Sequence, residues 1–372
     1  MIFTSIFAIE LYSTLKTEHP AFLGVVENKL TVSSFGIFSS KVSQFGFSAK
    51  SGFSEGVTIE KSNSMKWPNE IINTNTPAKG ALVADGFLVP GKAQGAIWFL
   101  ANGKAQQLTK TNSGWFYHRA LEFDVNGDGV MDIVSCRAKT GVFSKTQSML
   151  VWFDGKNNFA EKEIVAGCDV NFIFADLDKD GKEELIYSGF WSETLSIITT
   201  TTGRFDVPKD LTTTPIANDI GKAFDLQLVD LNNDGSLDLL VTNHQGSKDK
   251  VSGKVYAFTA QKTGSVAQWT WTKKILLDNI PVRNSGMNEA SPGTALALPI
   301  FNNQGYPYIA VGGDGSQEAL LLTPGAAPFS YESTVITQCA GTVGQLHYGE
   351  LDGQTLLMVP CYDKNEIRFF KL

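Results

Sequence analysis

Three stretches of the chain concentrate oxygen-bearing side chains at a spacing suited to a hard cation. DVNGDGVMDIV runs from Asp124 to Val134, DLDKDGKEELIY begins at Asp176, and DLNNDGSLDLLV begins at Asp230. Each places an acid or amide at positions 1, 3 and 5, glycine at 6, and Asp or Glu at 9. Calcium takes roughly six to eight oxygen contacts, and glycine permits the sharp turn such a loop needs. A helix–loop–helix calcium hand does not fit. Its last position calls for glutamate where Ser135 stands, and Val130, Met131, Ile133 and Val134 read as a strand rather than an amphipathic helix. The bland alternative is a set of solvated acidic turns, opposed by the repulsion of crowded carboxylates that no cation neutralises.

A second chemistry lies in GWFYHRA, where Trp115, Tyr117, His118 and Arg119 set an aromatic platform, a phenol, an imidazole and a guanidinium side by side. Tyr117 or His118 could act as acid or base, and Arg119 could pair with a ligand carboxylate. Strand alternation turns Tyr117 and Arg119 away from His118, so at most one of these sets faces a common site. No nucleophile elbow, phosphate-binding glycine loop, dinucleotide fingerprint or His-x-x-x-His pair occurs. Serine-triad hydrolysis, phosphoryl transfer and hydride transfer are set aside on that ground.

The elements that must position these groups show themselves by repetition. The acidic loops start 52 and then 54 residues apart, each between two apolar runs: ALEF, FIFA or LQLV before it and a β-branched stretch after it. A period near 50 marks a solenoid or propeller. Weaker copies share the frame: FLGVVENKLTVSSFG (22–36), ALVADGFLVPG (81–91), ALPIFNNQGYPYIAV (297–311) and HYGELDGQTLLMV (347–359). The total is seven. Further alternating segments such as GAIWFL, MLVWFDG, KVYAFTA and EIRFFKL supply third strands, and EKEIVAG or YESTVITQ supply fourth ones. The reading is all-β: a seven-bladed β-propeller of four-stranded antiparallel blades, one domain spanning 1–372. Its last unit stops after a third strand, so residues 2–13 are expected to pair with EIRFFKL and close the ring. That explains the apolar N-terminus better than a secretory leader does, since the segment carries Glu10 and lacks a basic start.

On these repeats the chain resembles the FG-GAP/VCBS family, which includes the integrin α-subunit propellers; similar rings occur in fungal lectins and in some carbohydrate lyases and dehydratases. The resemblance implies three structural calcium ions held between first and second strands. The first site would use Asp124, Asn126, Asp128 and Asp132, and the second Asp176, Asp178, Asp180 and Glu184. Asp230, Asn232, Asp234 and Asp238 would form the third, with Val130, Lys182 and Ser236 adding backbone carbonyls. Blades 1, 2 and 6 lack the acids and blade 7 keeps only Glu350 and Asp352 in a shortened loop, so these four are expected to be metal-free.

If the acidic turns lie on one face, first strands begin and second strands end on the other, near the axis. The residues there are His19, Trp67, Glu70, Trp115, Tyr117, His118, Arg119, Asn171, Trp191, Asp225, His244, Asn288, Glu289 and Gln345. All four histidines map to this face or to the strand running down from it. His118, Tyr117, His19 and His244 are the candidates for chemistry and the rest for binding, against the alternative that they join blades by hydrogen bonds.

Two functions follow. The differing blade motifs favour a single-site enzyme, a lyase or dehydratase acting on a carbohydrate-like or carboxylated small molecule. The other reading is a lectin or adhesion module. A net charge of −7 and the lack of a Lys/Arg cluster argue against nucleic acid. No apolar run reaches the roughly 18 residues needed to cross a bilayer. A monomer is expected, and calcium sites of this kind suit the extracellular space. Cys136, Cys168, Cys339 and Cys361 allow three pairings or reduced thiols, without metal-site spacing.

Overall fold

The computed structural model describes residues 9–36, 39–61, 65–86, 93–141, 145–283 and 289–372. Seven four-stranded antiparallel sheets follow one another along the chain. Blade 3 shows the plan: Phe116–Phe123, Asp132–Lys139, Gln147–Asp154 and Ala160–Ala166 pair in that order. Blades 4 and 5 repeat it from Phe172–Ala175 to Leu211–Ala217 and from Ala223–Val229 to Thr270–Ile280. First strands of neighbouring blades touch one another around the axis, while the middle strands carry the apolar residues that fill the space between blades. Leu185 and Ile198 thus pack into one inter-blade cluster and Ile186 and Ile197 into the next, the period-2 alternation of a strand buried on both faces.

Blade 7 consists of His347–Leu351, Gln354–Cys361, Glu366–Lys371 and, as its outer strand, Leu11–Lys16. The N-terminal strand runs antiparallel to Glu366–Lys371, with Leu11 opposite Phe370 and Lys16 opposite Glu366. Among the described residues this pairing spans Leu11–Lys16, overlapping the expected segment 2–13 at 11–13 and running on to Lys16; positions 2–8 lie outside the described residues. Cys136 is bonded to Cys168 and Cys339 to Cys361. Each disulfide ties a second strand to a segment that leaves a fourth strand, bracing the connections on the face opposite the acidic turns.

β-Bulges shape the inner strands. Between Tyr117 and Ala120 the first strand of blade 3 advances three residues while its partner advances two, and blade 5 does the same between Ala223 and Leu226. A bulge carries two consecutive side chains toward one side, which strict alternation forbids.

Candidate functional site

The last position before each inner strand's first core residue points to the axis: Phe22, Glu70, Arg119, Asn171, Asp225, Thr294 and Gln345, one per blade. Most of them are hydrogen-bonded across blades. Arg119 donates from Nε to Glu70 Oε2 at 2.5 Å, and from Nη1 to Asn171 Oδ1 at 2.5 Å and to the Phe172 carbonyl at 3.1 Å. Asn171 Nδ2 donates to Asp225 Oδ1 at 2.7 Å, and Asp225 Oδ2 accepts from the Ala295 amide at 3.1 Å. Gln345 reaches Glu70 from the far side of the axis. Burial pushes the Glu70 carboxyl up, but the Arg119 guanidinium outweighs it and holds Glu70 below the usual carboxylate range. Asp225 goes the other way: burial lifts it to about 7 against the pull of Arg119. These five polar residues form a floor that plugs the axis, so Arg119 is engaged within the protein and not turned to a ligand carboxylate.

Above that floor opens a cavity of about 810 Å³. Phe22, Phe35, Phe116, Phe190, Phe224 and Tyr362 give it mostly aromatic walls, and His118, Trp191, His244, Glu289 and Gln345 also line it. The bulge explains why His118 and Arg119 both turn to the axis, in place of the expected either-or. His118 sits edge-on between Phe22 at 5.9 Å and Phe224 at 6.0 Å, with its Nδ1 buried and without a hydrogen-bond partner. Burial lowers its pKa to about 4, against the opposing field of Glu70. His244 stacks on Phe224 with ring centroids 4.6 Å apart. Its Nδ1 lies 2.8 Å from the Pro292 carbonyl and its Nε2 3.7 Å from Asp314 Oδ2. Burial lowers His244 to about 4 and raises Asp314 to about 7, the latter assisted by Glu289 and Asp363.

Other expected residues lie elsewhere. Tyr117 turns away from the axis into the core between blades, where its hydroxyl donates to Glu161 at 2.7 Å. Burial and that carboxylate push its pKa far up, so it is no acid–base partner of His118. Trp115 lies under the Arg137 guanidinium at 4.1 Å. Trp67 stacks on the outer side of Phe35 at 5.6 Å, and His19 stands behind Tyr362 at 4.9 Å. Asn288 lies outside the described residues. The wall aromatics went unremarked in the sequence because Phe190, Phe224 and Tyr362 read as core types, although they occupy the very strand ends that the positional rule selects.

The acidic turns share one geometry. Asp124 accepts the amides of Asp128 and Gly129, and Asp176 and Asp230 do the same in their own loops. Position 6 is left-handed each time, with φ of 80° at Gly129, 85° at Gly181 and 81° at Gly235, a conformation that requires glycine. The position-9 acids turn inward and accept amides of Val125, Leu177 and Leu231. Burial raises all three of these acids, Glu184 to about 7 and Asp238 to about 6. Oxygens of Asp176, Asp178 and Glu184 lie within 4.8 Å of one another, and Asp238 Oδ1 is buried without a donor. Converging carboxylates and an orphaned oxygen are what a hard cation would satisfy, so the residues fit calcium. Lys182 and Lys156 pair with Asp180 and Asp128 of these turns, at 2.8 and 3.2 Å.

Residues 124–187 match the family described as FG-GAP-like repeat, a span covering the first acidic turn through the second. The chain is a seven-bladed β-propeller, and the stretch similar to that family lies in its blades 3 and 4. Among solved structures it is similar to the Dos1 propeller, at 10% identity over 98% of this chain and 95% of that one, with a TM-score of 0.51. A candidate 6-phosphogluconolactonase from Bacteroides uniformis matches at 13% identity over 87% of this chain and 86% of its own, with a TM-score of 0.53. Another from Bacteroides fragilis matches at 13% over 84% and 82%, with a TM-score of 0.51. Such likeness concerns the fold. No curated protein matches the chain. None of its helices among the described residues is long and apolar enough to cross a membrane.

Proposed function

We propose that the axial cavity is one acid–base site and that the protein is a lyase- or dehydratase-type enzyme acting on a carbohydrate-like small molecule. The observation that carries this reading is the contact of His244 Nδ1 with the Pro292 carbonyl. That oxygen can only accept, so Nδ1 carries a proton, and in the neutral imidazole that burial favours the lone pair is at Nε2, next to Asp314. A neutral imidazole held in this way can accept a substrate proton at Nε2. The imidazolium so formed would return that proton to the leaving oxygen, while His118, the second neutral imidazole across Phe224, would hold the substrate by a hydrogen bond. Tyr117 has no part in this scheme, and Arg119, being engaged by Glu70 and Asn171, leaves the carboxylated class of substrate without its expected anchor.

The test is turnover of a panel of sugars and sugar acids, followed by loss of substrate and appearance of an unsaturated or dehydrated product. His244→Gln and His118→Gln should each abolish conversion at unchanged melting temperature. Full turnover in either variant would defeat the assignment. The aromatic walls favour a second reading, a glycan-binding module, because sugar faces stack on such rings. It predicts binding of the same panel without any product.

Calcium in the three acidic turns belongs to the same proposal, as a structural cation. Weak, millimolar-range sites of this kind together with two disulfides suit an oxidising extracellular setting.

A further inference from the structure

The charges around the cavity are one-sided. Among the described lining residues three are carboxylates, Glu193, Glu289 and Asp314, and Lys222 is the single ammonium. Lys222 is already matched, with Nζ 2.6 Å from Asp249 Oδ2. Among the described residues Asp314 and Glu289 have no such partner. Asp314 meets only the neutral edge of His244 at 3.7 Å, and Glu289 Oε2 is buried with no hydrogen bond. His118 Nδ1, on the same cavity, is a buried acceptor or donor in the same state, its residue 7% exposed. The same cavity is lined by aromatic rings, Phe190 and Phe224 in an edge-to-face pair 6.2 Å apart and Tyr362. Lys222 lies 5.9 Å over the Phe190 ring, so this wall already faces an ammonium.

We propose that the cavity selects a compact organic cation, an ammonium-bearing ligand seated against the aromatic faces and answered by Asp314 and Glu289. Ring quadrupoles attract a cation within about 6 Å, and desolvation in a concave site strengthens the attraction. A carboxylated ligand would meet repulsion from Glu193 and Glu289, and from Asp314 where it is ionised, and find no unmatched cation. The inference rests on the axial cavity being the ligand site and adds the charge class of what enters it; for a sugar-like substrate it means an amino sugar in place of a uronate.

The experiment is calorimetric titration of the full-length protein with three compounds of one shape: choline, its uncharged isostere 3,3-dimethylbutan-1-ol, and the anion 3,3-dimethylbutanoate. Choline should bind at least about tenfold more tightly than the alcohol, a gap expected from one cation–π site with a carboxylate. The anion should bind more weakly still. The double variant Asp314→Asn, Glu289→Gln should erase the preference. Asparagine tolerates the left-handed backbone at Asp314, φ 48°, so the fold should persist, and the melting temperature checks this. Absent choline binding, equal binding of the alcohol, or tighter binding of the anion overturns the proposal while leaving the cavity as the ligand site. Tight choline binding that survives both this double variant and Phe224→Ala would instead remove the cavity reading itself.

Discussion

Arg119 meets Glu70 through two edges of its guanidinium, Nε to Oε2 at 2.5 Å and Nη2 to Oε1 at 3.1 Å, joining blade 3 to blade 2 under the cavity. Both side chains are largely withdrawn from water, 14% and 3% exposed. Fork-to-fork geometry gives the pair direction as well as strength. Its removal from one side leaves an uncompensated buried charge.

Arg119→Met is therefore expected to destabilise the fold by roughly 3–5 kcal/mol, the cost typical of breaking a buried ion pair. Adding Glu70→Gln should restore much of that loss, because it neutralises the stranded carboxylate. Urea denaturation of the two single variants and the double gives the cycle. A loss below about 1 kcal/mol for Arg119→Met would mean that the floor does not depend on this pair.

The histidines offer a pH test with a definite sign. His118, His244 and His347 are all lowered to about 4 by burial, while the unfolded chain titrates near the ordinary value of 6.5. Above that value they are neutral in both states and cost nothing. As pH falls from about 6.5 toward 4 the unfolded chain binds protons that the folded one refuses, so their contribution turns against folding. Imidazole resonances of these three should stay unshifted at pH 5.5 in an NMR titration. Ordinary midpoints near 6.5 at His118 and His244 would show the cavity to be wet and open.

The ring was legible in the sequence because its signal is periodic: three near-identical turns fix the frame, and four degenerate ones fall on it. The placement of Glu70, Arg119, Asn171, Asp225 and Gln345 near the axis was legible too, since they occupy equivalent places in five blades, but their bonding to one another in place of a ligand was not. Nor was the consequence of the Tyr117–Ala120 bulge. One inserted residue reverses which neighbours share a side, so Tyr117 went into the core and His118 joined Arg119 at the axis. Asp314 and Lys222 stayed hidden for another reason, since a single charge at the end of a strand has no pattern of its own.

Calcium occupancy is testable through stability. Glu184 and Asp238 are raised by burial, and a cation bound there would stabilise the folded state alone. Melting in millimolar calcium should lie several degrees above melting in EDTA, and elemental analysis should return three ions per chain. Asp238→Asn, which removes one carboxylate from the blade 5 turn, should lower that count by one. Equal melting curves with and without chelator, together with no metal found, would leave the turns as solvated scaffold.

Closure of the ring rests on the strand Leu11–Lys16. It gives blade 7 its outer edge, with Lys16 paired to Glu366 and the Thr17 amide bonded to the Asn365 carbonyl at 3.0 Å. Leu15 packs on the cluster that holds Ile367 and Phe369. Without this strand, Glu366–Lys371 becomes an unpaired edge beside an uncovered apolar cluster, which is a template for association. Deleting residues 1–16 should give a protein that elutes as larger species than the full-length chain or precipitates, and a synthetic peptide of residues 9–17 should restore the full-length elution when added. Leu15→Pro probes the same pairing inside the intact chain, by removing one backbone donor and the apolar side chain together. It should lower the melting temperature and raise light scattering on heating. A soluble monomeric truncation melting with the full-length chain would show that the ring holds without its closing strand.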